Sequence, residues 1–187
     1  MTVQAGTAGA GLPLRLHHNA YVTADMEATR RFYEDLVGMP LVATYCETDH
    51  LFGADRVYCH CFFALSDGGA LAFFQFASPE DQTLFGPAMP PSPFHHIALK
   101  VDAATQAAVH SRFRAAGVPE PSDDCYFLDH GYCQSLYVRD PNGLIVELTV
   151  DAPGIEDTDE ERKRNAHADL ARWLGGDHRS NNLYRPQ

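Results

Sequence analysis

Two stretches of the chain follow one plan, and this duplication limits the folds open to it. Leu14-Arg15-Leu16-His17-His18-Asn19-Ala20-Tyr21-Val22 is a β-prone run leading to Asp25, and Phe94-His95-His96-Ile97-Ala98-Leu99-Lys100-Val101-Asp102 repeats it. Successive strand side chains alternate between faces, so Leu14, Leu16, His18, Ala20 and Val22 share one face. A helix capped by Asp25 is predicted next, with Met26, Thr29, Phe32, Tyr33 and Leu36 at helical spacing and Gly38 as its stop. Its counterpart runs through Val109 and Phe113 to Gly117, and the interval from His96 to Gly117 nearly equals that from His18 to Gly38. Extended segments follow at Leu41 to Cys46, Val57 to Leu65 and Ala70 to Phe76. In the second copy a hairpin over 133–150 turns at Asp140-Pro141-Asn142-Gly143. Matching Gly69 to Gly143 sets Phe63 against Tyr137, Phe73 against Glu147, and His60 against Gln134, away from Tyr137.

Two β-α-β-β-β units can bury both of their sheets by packing together. The expected class is therefore α+β: paired βαβββ modules forming an incomplete β-barrel with a central cleft, plus a C-terminal helix. Residues 1–13 are rich in Gly, Ala and Thr and predict a flexible N-terminus. The domain spans 14–151, with module one at 14–78, a proline-rich linker at 79–93 and module two at 94–151. Residues 152–187 predict a helix through Ala166, Leu170, Trp173 and Leu174, stopped by Gly175-Gly176, then a polar tail. Trp173 is expected to dock on the barrel or on a partner subunit, which points to a homodimer.

Fourteen basic residues against 25 acidic ones leave a formal charge of −11. That balance disfavours nucleic acid and anionic membranes, whose binding is driven by Lys and Arg. No apolar run approaches the roughly 20 residues of a membrane span, and the N-terminus lacks the basic-then-apolar order of a signal peptide, so a cytoplasmic protein is expected. Five cysteines without regular spacing fit reduced thiols. Cys59-His60-Cys61 sits between Val57-Tyr58 and Phe62-Phe63, so its cysteines are read as strand packing.

Glu147 is the oddity in the apolar run Leu144 to Val150. An unpaired buried carboxylate costs several kcal/mol or more, and a cation would relieve it. His18 and His96 each open the first strand of a module, while Glu147 closes the last strand of the second. Two imidazoles and one carboxylate leave up to three sites free on an octahedral ion, the arrangement of non-haem Fe(II) oxygenases. Zinc with the same donors is the hydrolytic alternative.

From about residue 14 to 150 the chain resembles the vicinal oxygen chelate superfamily, which includes glyoxalase I, extradiol ring-cleaving dioxygenases and bleomycin-resistance proteins. The resemblance rests on the two modules, on His18 in HHNAYVTAD and His96 in HHIALKVD, and on Glu147 after Asp140-Pro141-Asn142-Gly143. Glyoxalase I-like members carry a fourth ligand, a glutamate at the end of module one. Here Phe73 takes the matched position, with Gln75 two residues on. His130, Leu136-Tyr137, Asp140-Pro141-Asn142-Gly143 and Glu147 look like the extradiol dioxygenase signature, with Leu128 departing from the residue types that the signature prefers.

The resemblance implies Fe(II), or alternatively Mn(II), Zn(II) or Ni(II), held by His18, His96 and Glu147, with a small catecholic substrate and O2 meeting there. It implies that Tyr137 hydrogen-bonds a substrate oxygen and that His130 assists proton transfer. The second acid/base histidine expected of ring-cleaving members has no assigned position, His60 and His50 being the nearest candidates. Two rival readings stand beside the dioxygenase: a glyoxalase-type isomerase or lyase, and a non-enzymatic small-molecule binder.

Overall fold

A computed structural model describes residues 13–89 and 92–185. The flexible segment expected over 1–13 therefore lies, apart from Pro13, outside the described residues. The chain separates into two compact units, one ending at Pro87 and one beginning at Ala88.

The first unit runs β1 (His18–Val22), α1 (Met26–Arg30), a continuing π-helical stretch (Arg31–Val37), β2 (Leu41–Leu51), β3 (Ala54–Ala64), β4 (Ala70–Phe76) and α2 (Pro79–Phe85). Asp25 caps α1 by accepting the Ala28 N–H at 2.9 Å. Gly38, at φ 92°, ends the helix with its N–H on the Tyr33 carbonyl. The strand order is β1-β4-β3-β2, with β1 parallel to β4 and the other pairs antiparallel, which leaves β1 and β2 as open edges. Tyr33 packs its ring 4.8 Å from Phe73 and 5.4 Å from Phe63, so the helix covers the face carrying Leu71, Phe73, Cys61 and Phe63.

The second unit repeats this plan with β5 (His96–Lys100), α3 (Ala103–Ala115), β6 (Cys125–Asp129), β7 (Cys133–Arg139) and β8 (Ile145–Asp151), ordered β5-β8-β7-β6. Val109 and Phe113 of α3 are buried, as are Leu136, Val138, Val146 and Leu148 of the sheet. Gln106 ties the helix to that sheet, donating to the Leu148 carbonyl at 2.7 Å and to Gln134 at 3.0 Å. A short 3-10 turn (Ile155–Thr158) leads into α4 (Asp159–Leu174). The architecture is thus mixed α+β: two open four-stranded sheets from βαβββ modules, and a C-terminal helix.

The structure corrects three expectations. The stretch around His50, left outside the extended segments expected at Leu41 to Cys46 and Val57 to Leu65, is strand as well, because β2 and β3 extend to a tight turn at Phe52-Gly53, both with positive φ. The linker contains α2, whose start is fixed by Ser78 accepting the Asp81 N–H and by Pro79 in the first turn. The repeat register also moves by one residue. His18 pairs with Ala70 as His96 pairs with Ile145, so the counterpart of Glu147 is Ala72, that of Tyr137 is Phe62, and that of Ser135 is His60. The equivalent left-handed turn glycines are Gly68 (φ 82°) and Gly143 (φ 87°). Gly69 lies one position past its turn.

The cysteines are free, with Cys61, Cys125 and Cys133 buried. Trp173 is 54% exposed and rests against His178, with ring centroids 4.2 Å apart, so within the described residues it does not dock on a sheet. No helix among the described residues is long and apolar enough to cross a membrane.

Candidate functional site

The face of the second sheet opposite α3 carries four of the five site residues expected. Strand pairing puts Tyr137 beside Glu147, Ser135 beside Thr149, and Tyr126 beside Tyr137, while His96 enters from the parallel neighbour β5. The Nε2 of His96 stands 3.0 Å from a carboxylate oxygen of Glu147. Glu147 is only 6% exposed. Its other oxygen accepts the Thr149 hydroxyl at 3.0 Å, and that hydroxyl lies 3.2 Å from Ser135. Burial alone pushes the Glu147 carboxyl up. The hydrogen bonds from Ser135, Tyr137 and Thr149, together with His96 nearby, outweigh it and hold the group below the usual carboxylate range.

Tyr137 stacks on Tyr126 with ring centroids 4.9 Å apart and planes 8° from parallel. Its hydroxyl lies 2.9 Å from Nε2 of His130. Burial, reinforced by the hydrogen bond to Glu147, pushes the phenol above its ordinary value. The proton on Tyr137 can serve only one acceptor. In the contact with His130 the donor is the phenol O–H or the Nε2 proton, according to the tautomer of His130.

His18 belongs to the first unit. It is exposed at the start of β1, with its Nδ1 2.8 Å from that of His17. On the same face its ring lies 5.4 Å from Phe62 and 5.9 Å from His60. His60 stacks on Phe74 at 3.6 Å, and its Nε2 is buried with no hydrogen-bond partner among the described residues. Burial, then the nearby His18, lower its pKa, and Glu47 opposes them. The expectation that His60 faces away from the site side is overturned by the register. Gln75 faces the helix, where its side-chain oxygen accepts the Met26 N–H at 3.0 Å. His50 pairs with Asp55 at 2.9 Å on the exposed hairpin.

The donor set suits a divalent ion. Nδ1 of His96 faces the Pro93 carbonyl at 3.4 Å, so the Nε2 lone pair is the one turned to Glu147, where a bare lone pair would repel the carboxylate. A proton or a cation resolves that conflict. Donors bound at right angles on one ion at roughly 2.1 Å stand about 3 Å apart, as these two do. Within each unit, no group of three His, Cys, Asp or Glu side chains able to hold a metal forms among the described residues. Strand parity in the sequence puts Ser135 and Thr149 on the face of Glu147 but gives them and Tyr126 no role, because hydroxyls and rings in a β-rich run look like packing until the pairing is known.

The sequence model of the Glyoxalase/Bleomycin resistance protein/Dioxygenase superfamily matches residues 15–148. No curated protein matches the chain significantly. Among solved structures, the fosfomycin resistance protein FosX from Listeria monocytogenes is similar at 16% identity with a TM-score of 0.53, covering 77% of this chain and 98% of that one. A mutant of that FosX, complexed with Mn(II) and 1S,2S-dihydroxypropylphosphonic acid, is similar at 17% identity and a TM-score of 0.51, over 76% of this chain and 97% of the other. Lactoylglutathione lyase from Agrobacterium tumefaciens is 23% identical, with a TM-score of 0.48, over 75% of this chain and 96% of that one. The similarity to FosX is one of fold, and it covers both modules. With two βαβββ modules and a family match running from Arg15 through Leu148, the chain belongs to the Glyoxalase/Bleomycin resistance protein/Dioxygenase superfamily.

Proposed function

We propose that the protein is an Fe(II)-dependent, extradiol-type dioxygenase that cleaves the ring of a catecholic substrate, with His18, His96 and Glu147 as the metal ligands. The observation that carries this reading is the 2.9 Å contact between His130 and Tyr137 on the sheet face that also bears the His96–Glu147 pair. It supports a path for protons beside the proposed metal ligands. Against a glyoxalase-type centre, the repeat counterpart of Glu147 is Ala72, so module one offers no fourth carboxylate there.

A bound divalent metal supplies Lewis acidity and a common site for the vicinal substrate oxygens and O2. The residues of the chain supply the rest. Glu147 and His96 hold their donor atoms in fixed positions, Glu147 through Thr149 and Ser135 and His96 through Pro93. Tyr137, locked by its stack on Tyr126, presents its oxygen for a substrate hydroxyl. His130, 2.9 Å from that oxygen, is placed to pass a proton to it or to take one from it. The working form is taken as a cytoplasmic homodimer.

Protein purified anaerobically should carry iron at about one per chain and consume O2 with a catechol, giving a yellow ring-fission product. His96→Ala and Glu147→Gln should each lower metal content and abolish O2 uptake. Unchanged activity in His96→Ala would overturn the reading, as would turnover of a hemithioacetal without oxygen.

A further inference from the structure

From a cavity of about 170 Å³ in the first unit, we infer a binding subsite for a second aromatic ring carried by the substrate. The inference rests on the dioxygenase reading above and adds the substrate class: a catechol bearing a further ring, fused or attached. The cavity is lined by five aromatic rings, those of Phe52, Tyr58, Phe74, Phe76 and Phe85, together with Val22, Leu51 and Arg56. By strand pairing Val22, Phe74, Phe76, Tyr58 and Arg56 all project from the sheet face that carries His18 and His60.

Size, chemistry and position each limit the occupant. An apolar cavity of about 150 Å³ is known to take up benzene, so this space suits one six-membered ring. Phe85 lies 5.2 Å from Phe76 and 5.6 Å from Phe52, while Tyr58 lies 5.3 Å from Phe74, so a planar guest meets aromatic faces and edges on several sides. Arg56 is the one charged group among the lining residues, and its charge is already matched by an ion pair with the buried Asp81. Its guanidinium carbon lies 5.4 Å over the Phe85 ring, so it completes an aromatic wall and does not call for an anionic ligand.

Phe74 links the cavity to the proposed metal side. It lines the cavity and is also the ring on which His60 stacks at 3.6 Å, and His60 is 5.9 Å from His18. Tyr58 is two residues from His60 along β3, about 7 Å at the usual strand rise. A diol held beside His18 therefore reaches the cavity only through a second ring or a substituent of similar length.

Binding and turnover separate this inference from the reading beneath it. Metal-free full-length protein should bind 2-naphthol, which lacks vicinal oxygens, one to one by calorimetry, and decahydro-2-naphthol at least tenfold more weakly. Phe85→Ala should weaken 2-naphthol binding about tenfold, and Phe85→Leu, which keeps much of the apolar bulk but not the ring, by a smaller factor. In iron-loaded protein, the preference in kcat/KM for 1,2-dihydroxynaphthalene over catechol should collapse in Phe85→Ala while catechol turnover stays unchanged. Binding of 2-naphthol that is absent, matched by the saturated alcohol, or indifferent to Phe85→Ala overturns the subsite even if catechol is cleaved. Specific, Phe85-dependent binding without any diol cleavage would uphold the subsite and overturn the dioxygenase reading instead.

Discussion

Tyr137 illustrates how one hydroxyl can organise a site. It sits between a buried carboxylate and an imidazole 2.9 Å away, and it has a single proton to give. That proton or the one on His130 bridges the two groups, so Tyr137 and His130 act as one proton-handling unit. Tyr137→Phe keeps the ring on Tyr126 but removes the link. We expect iron content and melting temperature to stay near wild type while kcat falls roughly 10²-fold or more, the usual worth of a positioned acid/base group. Steady-state O2 uptake together with metal analysis checks it, and a parallel loss of iron would mean that the hydroxyl serves the ligand Glu147 and not the substrate. Glu147 was conspicuous in the sequence as a carboxylate in an apolar strand and His96 as the repeat of His18, whereas His130, just past the end of β6, stood out only through the resemblance to the extradiol signature. Ser135 and Thr149 did not, since a hydroxyl in a strand is ordinary until its cross-strand partner is known.

Among the elements, the C-terminal arm does something that no periodicity announces. Its Asn182 donates from Nδ2 to the His130 carbonyl at 3.0 Å. Beside it Gly131 adopts φ 80°, and a Cβ there would lie 2.3 Å from the Tyr184 carbonyl oxygen. The arm is thus laid directly on the turn that presents His130. Gly131→Ala adds both left-handed strain, about 1 kcal/mol, and a backbone clash that lifts the arm. Faster proteolysis after residue 176 and a melting temperature lowered by a few degrees are expected. Asn182→Ala should leave stability nearly intact and lower kcat several-fold with KM little changed, because His130 is less firmly held. An unaltered kcat would reduce the arm to packing. The arm was read only as a polar tail because its contacts depend on residues some fifty positions away. The full length of the β2–β3 hairpin was missed for a related reason: β2 is exposed on both faces from Thr44 onward, so it lacks the alternation that reveals a strand.

In the molecule as a whole, the duplicated plan divides labour between unlike faces. Module two turns Glu147, Tyr137, Ser135 and Thr149 to its site face, whereas module one turns Ala72, Phe62, His60 and Phe74 to the equivalent places. The plan itself was plain in the sequence, but its register was not, because two adjacent glycines, Gly68 and Gly69, compete for the role of Gly143 and only the backbone dihedral decides between them. The corrected register yields a direct test. If Ala72 stands to His18 as Glu147 stands to His96, Ala72→Glu would bring a carboxylate to within about 3 Å of that imidazole. Ala72 is fully buried, so without metal the new charge should cost several kcal/mol and lower the melting temperature by on the order of 10 °C. A divalent ion that binds only the folded state stabilises by about 2.7 kcal/mol at a hundredfold excess over its dissociation constant, and an added ligand tightens that constant. Thermal melts with and without Mn(II) should therefore show a larger metal-dependent rise in the variant than in wild type, together with loss of O2 uptake as an open position is filled. Equal metal-dependent rises in the two proteins would mean that the carboxylate at 72 does not reach a metal held by His18, and the assignment of His18 as a ligand would fall with it.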